Sequence, residues 1–295
     1  MDKQILDNNI QSLTEKFRNG NVSVFCGAGI SFNSGLPLAN TLLQTILLSL
    51  GINPIQQQII LNSGLPFESF IQTLADETDV TPLLDLFSLG KPNLNHEFLA
   101  ELIKAGLIKT VLTTNFDLLL EKALENLGLE KDIDFSIFTT EKEFGAIDWD
   151  KKTHCRIIKI HGCVSNQDEM AITLGKVAKR TITQNKKSII DMFFSKSVNE
   201  NILVLGYSCS DIFDISPQIE SISMERAEII FVDHSLDKKV CFSEFISKKI
   251  ANNPFSKFSG VRIKANTDTL IEFLWEQFVP RVQLFVRKIR VLISR

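Results

Sequence analysis

The chain has no CxxC pair, no apolar run long enough to span a bilayer and very little net charge. Each absence removes a class of function. The five cysteines, Cys26, Cys155, Cys163, Cys209 and Cys241, are odd in number and scattered, so they predict neither a disulfide framework nor a structural zinc ribbon. A mixed metal site would have to draw on His154, Cys155, His161 and Cys163. Alternation along a strand points such neighbours to both faces, so no metal is expected. A transmembrane helix needs about 20 consecutive apolar residues, and no run here approaches that. The N-terminal MDKQILDNNIQSLTEKF lacks the apolar centre and small-residue cleavage site of a signal peptide, which predicts a cytoplasmic protein with no membrane partner. With a net charge of −3 there is no general attraction to polyanions, so direct nucleic-acid binding is not expected. Internal repeats and low-complexity segments are not evident either.

What is present is the composition of an ordinary globular protein: 295 residues, 44% of them hydrophobic, enough for one core domain carrying a small insertion. The runs VSVF, TVLT, IIKI, ILVL and IIFV are predominantly apolar, as strands buried on both faces are. Helical patterns separate them: LNHEFLAELIKAG, DLLLEKALENLG, KKSIIDMFFSKSV and TDTLIEFLWEQF. The predicted class is therefore α/β, with a Rossmann-like, mostly parallel sheet covered by helices on both faces. LPLANTLLQTILLSLG reads as a helix closed by Gly51. Across residues 53–90 the strand signals fade into short helical runs separated by Gly and Pro, which predicts a small helical insertion subdomain. Residues 131–153 show no regular pattern, and Pro217 is expected to interrupt the helix in DIFDISPQIESI. One domain is expected over 1–279, followed by a basic amphipathic tail over 280–295 that fits either docking on another surface or packing on its own domain. The 22 phenylalanines are read as core and interface rather than as a base-stacking platform.

In a doubly wound sheet, ligands lie beyond the carboxyl ends of the strands. Those ends carry GAGIS, TTNFD, HG, GYSCSD and VD, a gathering of polar and glycine residues. Gly27-Ala28-Gly29-Ile30-Ser31 follows the first strand directly, where glycines let a backbone approach a pyrophosphate and exposed N–H groups favour its charge. Its spacing is not GxGxxG, because the next glycine is Gly35, and a strand-to-helix turn that binds nothing is the plainer reading of this loop alone.

The longer string GAGISFNSGLP resembles the cofactor loop of the sirtuins. KPNLNHEFLAELIKAGLIKTVLTTNFD resembles that family's stretch from a helix to a strand-end Asn-x-Asp, and KIHG its strand ending in a catalytic His-Gly. LGYSCSD and FVD stand where later cofactor-binding strands end, so the similarity runs roughly from Val22 to Phe273. Two departures matter. Pro37 is followed by Leu38, Ala39 and Asn40 where the sirtuin loop continues Pro-x-Phe-Arg, and the family's zinc cysteines are missing. In both respects the chain resembles the sirtuin-like NADase domains of bacterial anti-phage defence systems, which carry a helical insertion in place of a zinc ribbon.

That resemblance implies an NAD glycohydrolase that releases nicotinamide and ADP-ribose, with NAD as substrate and no zinc. It also implies an abortive-infection effector that works as a homo-oligomer or with a sensor partner of the same system. Cleaving the nicotinamide–ribose bond creates an oxocarbenium-like centre, while nicotinamide leaves neutral, so orientation and a positioned water matter more than acid catalysis. Asn115, Asp117 and His161 are the implied catalytic residues: Asn115 to hold a water or ribose hydroxyl, Asp117 to meet the carboxamide or the developing charge, His161 as general base. Gly27, Ala28, Gly29 and Ser31 would contact the phosphate–ribose portion, Gly206, Ser208 and Asp211 the adenosine half, and Asp233 a ribose hydroxyl pair, with Thr114 also among the cofactor-binding residues. Plainer roles fit the same residues. Asn115 and Asp117 suit the cap of a helix starting near Phe116, His161 a turn, and Asp211 a helix cap. His96 fits the family pattern, although a helix-buried histidine is more often structural, and Cys26, Cys163 and Cys209 suit small buried fillers. Two other functions compete: NAD-dependent deacylation or ADP-ribosyl transfer to protein, and a non-catalytic NAD or ADP-ribose sensor.

Overall fold

A computed structural model describes residues 3–20, 22–37, 39–63, 65, 67–150, 154–171, 183–209, 214–237, 239–244 and 253–278. Each of the five apolar runs forms a strand: β1 (Val22–Cys26), β2 (Ile108–Thr113), β4 (Cys155–Lys159), β5 (Asn201–Leu205) and β6 (Glu228–His234). Three more join them: β3 (Phe135–Phe138), β7 (Cys241–Glu244) and β8 (Gly260–Ala265). The eight strands make one sheet in the order β3-β4-β2-β1-β5-β6-β8-β7, parallel throughout except for the β7–β8 pair at one edge. The parallel α/β class is as expected. β3 and β7 lie outside the sequence reading, being four-residue edge strands without a continuous apolar run.

Alternate residues of each central strand face opposite sides, which is why both faces need helices. Val24, Val111, Ile157, Leu203 and Ile230 pack on one side with Phe17, Phe98 and Trp275. Those side chains come from α1 (Lys3–Arg18), α6 (Leu94–Lys104) and α11 (Thr267–Phe278). Phe25, Leu112, Ile158, Val204 and Phe231 face the other side, against Phe193, Phe194, Ile219 and Phe255. Here α9 (Gln184–Phe193) and α10 (Ile215–Ser221) cover the sheet, with α8 (Glu141–Gly145) at its margin. Full burial of one such apolar side chain stabilises by about 1.5–3 kcal/mol, so strands and helices both contribute to folding through these two interfaces.

The insertion is helical as expected: α3 (Pro54–Asn62), α4 (Phe67–Glu77) and α5 (Thr81–Asp85) follow α2 (Ala39–Ser49). Asn53 caps α3 and Pro54 opens it, both in their favoured places. A small core of Ile71, Leu84, Val164 and Met170 takes up Phe87, Phe116 and Leu118, so the insertion is packed against the TTNFD turn. Two boundaries differ from expectation. The helix after TTNFD, α7 (Leu119–Asn126), starts three residues beyond Phe116, because the Asp117 carboxylate accepts the Leu119 N–H instead of continuing the helix backward. Pro217 does not interrupt α10; it occupies the first turn, where its missing N–H costs no helical hydrogen bond. The tail 280–295 lies outside the described residues.

From β1 the sheet grows through β2 on one side and β5 on the other. That reversal opens a crevice beyond the carboxyl ends of β1, β2 and β5, where GAGIS, TTNFD and GYS converge.

Candidate active site

Glycine is required in the loops after β1 and β5 because their backbones touch. The Gly27 N–H donates to the Leu205 carbonyl at 3.0 Å and the Gly29 N–H to the Gly206 carbonyl at 2.9 Å. A Cβ on Gly29 would lie 2.8 Å from the Gly206 oxygen, and one on Gly206, at φ +66°, only 2.4 Å from the Ile30 nitrogen. The Gly29 donor, expected to face a pyrophosphate, is therefore engaged within the fold. Ala28 and Gly29 remain exposed at the crevice.

A 3-10 helix over Ala28–Ser34 carries Ser31 inward, where four buried polar side chains meet. Ser31 Oγ donates to Asp117 Oδ2 at 2.8 Å. It accepts from Asn115 Nδ2 at 3.2 Å and lies 3.2 Å from His96 Nε2. One proton arrangement fits the contacts of Ser31: it gives its single hydrogen to Asp117, and a neutral His96 donates through Nε2 while its Nδ1 accepts the Asn93 N–H at 3.2 Å. His96 thus both closes the capping box of α6 and joins the cluster. Burial lowers its pKa to about 4, assisted by Lys159 and opposed by Asp117, which keeps the ring neutral. Asn115 Oδ1 is buried and accepts no hydrogen bond among the described residues, an acceptor suited to a ligand. Beneath lies a cavity of about 10 Å³ lined by Cys26, Asn115, Asp117, Glu121 and Lys159, about the room one water occupies.

His161 follows β4, whose end is tied to the same turn by Ile160 N–H to Thr113 carbonyl and Val164 N–H to Phe116 carbonyl, each 3.0 Å. Its ring lies 6.2 Å from that of Phe116, and Nε2 is 3.4 Å from Asp214 Oδ2. Burial pushes the Asp214 carboxyl up, but the adjacent His161 imidazole and Lys186 outweigh burial and hold it below its ordinary value.

The remaining candidates spread outward. Thr114 is half-buried and donates its N–H to the Cys26 carbonyl at 3.2 Å. Ser208 is exposed beyond β5. Asp233, at the end of β6, is held by Arg262, whose Nε lies 3.1 Å from Oδ2 and whose Nη2 makes a second contact, so a ribose would meet an ion pair there rather than a lone carboxylate. Asp211 lies outside the described residues. Sequence reasoning missed Asp214, which no spacing ties to His161. It also missed Glu121 and Lys159, although a lysine closing an otherwise apolar strand run was a usable signal. Among the described residues no group of three or more His, Cys, Asp or Glu is arranged to hold a metal ion, and no helix is long and apolar enough to cross a membrane.

Residues 109–240, from β2 past β6, match the model of the SIR2-like domain. The chain is 26% identical over 212 residues to the NAD(+) hydrolase ThsA of Acinetobacter baumannii (strain 532279), covering 68% of this chain and 39% of that one. It is 27% identical over 213 residues to the NAD(+) hydrolase ThsA of Bacillus cereus (strain MSX-D12), covering 68% and 40%. It thus spans about two fifths of the length of these relatives. A solved structure bearing on the mechanism and regulation of Sir2 enzymes superposes with a TM-score of 0.50 at 15% identity, over 91% of this chain and 98% of that one, which speaks to the fold alone. Residues 109–240 are thus similar to the SIR2-like domain, and the sheet shares the Rossmann-like fold of Sir2 enzymes.

Proposed function

We propose that this chain is an NAD glycohydrolase: it binds NAD beyond the carboxyl ends of β1, β2 and β5 and hydrolyses the nicotinamide–ribose bond to nicotinamide and ADP-ribose. The observation that carries the reading is the buried Ser31–Asn115–Asp117 cluster at the strand reversal, with the Asn115 Oδ1 acceptor still open. The two relatives named as NAD(+) hydrolases support the choice of substrate and reaction. The dinucleotide lies outward of the small cavity, against the exposed loop at Ala28 and Gly29 and towards Ser208, with the Asp233–Arg262 pair at its adenosine end.

At the reacting end Asn115 orients a water or ribose hydroxyl. The Asp117 carboxylate, fixed by Ser31 and the Leu119 N–H, stabilises positive charge as the ribose becomes oxocarbenium-like. His161, with Asp214 against its Nε2, takes the proton of the attacking water. An enzyme that consumes NAD without control harms its own cell. We therefore assign it to cytoplasmic anti-phage defence by abortive infection, switched on by self-association or by a sensor of the same system; this assignment rests on the motif resemblance.

The test is nicotinamide release from NAD by the purified protein, together with Asn115→Ala and His161→Ala. Each substitution should lower turnover by about 100-fold or more with the fold intact. Variants as active as the parent would show that the site is misplaced. ADP-ribose binding without turnover, with any activating partner present, would favour a sensor, and consumption of an acetylated peptide would favour a deacylase.

A further inference from the structure

Lys159 closes β4, yet its side chain is only 2% accessible. Its ammonium reaches three groups: Glu121 Oε1 at 2.6 Å, the backbone carbonyl of Asp117 and Cys163 Sγ at 3.6 Å. Glu121 stands in the first turn of α7 and is itself 5% accessible. One buried cation therefore joins β4, α7 and the turn that presents Asn115 and Asp117.

A buried ion pair is a poor source of stability. Removing two charges from water costs several kcal/mol per ion, and apolar side chains of similar volume commonly serve the fold as well or better. The surroundings here are suited to such a replacement, since Ile157 and Leu120, which line the same small cavity as Lys159, are apolar and buried. What an apolar side chain cannot supply is a donor to the Asp117 carbonyl. With that carbonyl fixed from below, the Asp117 side chain is directed upward to Ser31 through Oδ2 and to the Leu119 N–H through Oδ1.

We infer that Lys159 is a positioning residue for the Asn115–Asp117 turn, with Glu121 as its counter-charge, so that the pair serves turnover rather than stability. This rests on the NAD-hydrolase reading for the activity it predicts, but not for the geometry. Burial opposes the ammonium, yet Glu121, Cys163 and Asp117 together outweigh it and hold Lys159 above its ordinary pKa. The lysine is thus a cation throughout the physiological range.

The experiment is the double variant Lys159→Met with Glu121→Leu, compared with the parent in thermal unfolding, NAD turnover and amide hydrogen exchange. The expected result is a Tm equal to or above the parent's, kcat lower by about 100-fold, KM changed by less than about threefold, and faster exchange at the amides of Asn115 and Val164, which anchor the turn. A purely structural pair would leave kcat and exchange at parent values once Tm is preserved, and that result overturns the inference. Should the apolar pair fail to fold, Lys159→Met with Glu121→Gln removes both charges while keeping the α7 side-chain volume, and the same readouts decide. A parent that releases no nicotinamide counts against the hydrolase reading instead; exchange then decides alone, with unchanged protection overturning the positioning role.

Discussion

Ser31 Oγ donates to Asp117 Oδ2 at 2.8 Å, joining residues 86 positions apart at the centre of the candidate site. The hydroxyl also accepts from Asn115 and faces His96, so it links three other buried side chains. Ser31→Ala leaves a buried carboxylate and two buried donors each short of one hydrogen bond. We expect a loss of about 1–3 kcal/mol in stability and a fall in NAD turnover. Urea unfolding would register the first as a lower midpoint at constant slope. An unchanged midpoint would mean that the cluster is not formed in solution.

His96 should make stability depend on pH. Its folded pKa, about 4, lies below the ordinary value of 6.5, so the unfolded chain takes up the proton first as pH falls. Stability is then full above about 6.5, declines as pH drops towards 4 and levels off below, a loss of up to about 3 kcal/mol from this group. His96→Gln removes the titration. Comparing urea midpoints at pH 7 and pH 5, the parent should lose clearly more than the variant; equal losses would show that the ring titrates as in the unfolded chain.

These two side chains illustrate what sequence could and could not supply. The strand runs and strand-end motifs were legible because burial on both faces demands continuous apolar residues, and because ligand-facing loops alone break that pattern. Asn115, Asp117 and Ser31 could be picked out as strand-end polar residues, but not their mutual hydrogen bonds, which depend on a strand order that local periodicity does not encode. The role of the glycines shifted for the same reason: Gly29 and Gly206 are 2.9 Å partners across two loops, a contact invisible from either loop alone. Edge strands β3 and β7 escaped notice because four residues at a sheet margin need no apolar run.

The β1–β5 loop contact gives a steric prediction. Gly206 and Gly128 both have positive φ, +66° and +78°, but only at Gly206 would a Cβ meet backbone, 2.4 Å from Ile30 N, whereas Gly128 has nothing within 4 Å. Gly128→Ala should cost only the conformational strain, about 1–2 kcal/mol. Gly206→Ala adds the clash and should cost about 1–3 kcal/mol more, with Ser31 displaced and activity lost. Equal penalties for the two alanines would mean that the loops separate freely and that the close approach does not shape the site.

Asp214 offers the sharpest test of how His161 is prepared. Although burial raises its pKa, the adjacent His161 imidazole, together with Lys186, pulls it below the ordinary carboxylate value. A carboxyl whose folded pKa is depressed contributes stability above its unfolded value, about 4, and loses it as pH falls through the folded one. Asp214→Asn should therefore flatten the acid limb of the stability profile below about pH 4. It should also lower kcat by about 100-fold or more, because an amide cannot hold the imidazole or stabilise its protonated form as a carboxylate does. KM for NAD should change little, since Asp214 acts through the ring at 3.4 Å. If kcat is retained while the acid limb flattens, the contact is structural, and His161 works, if at all, without a carboxylate partner.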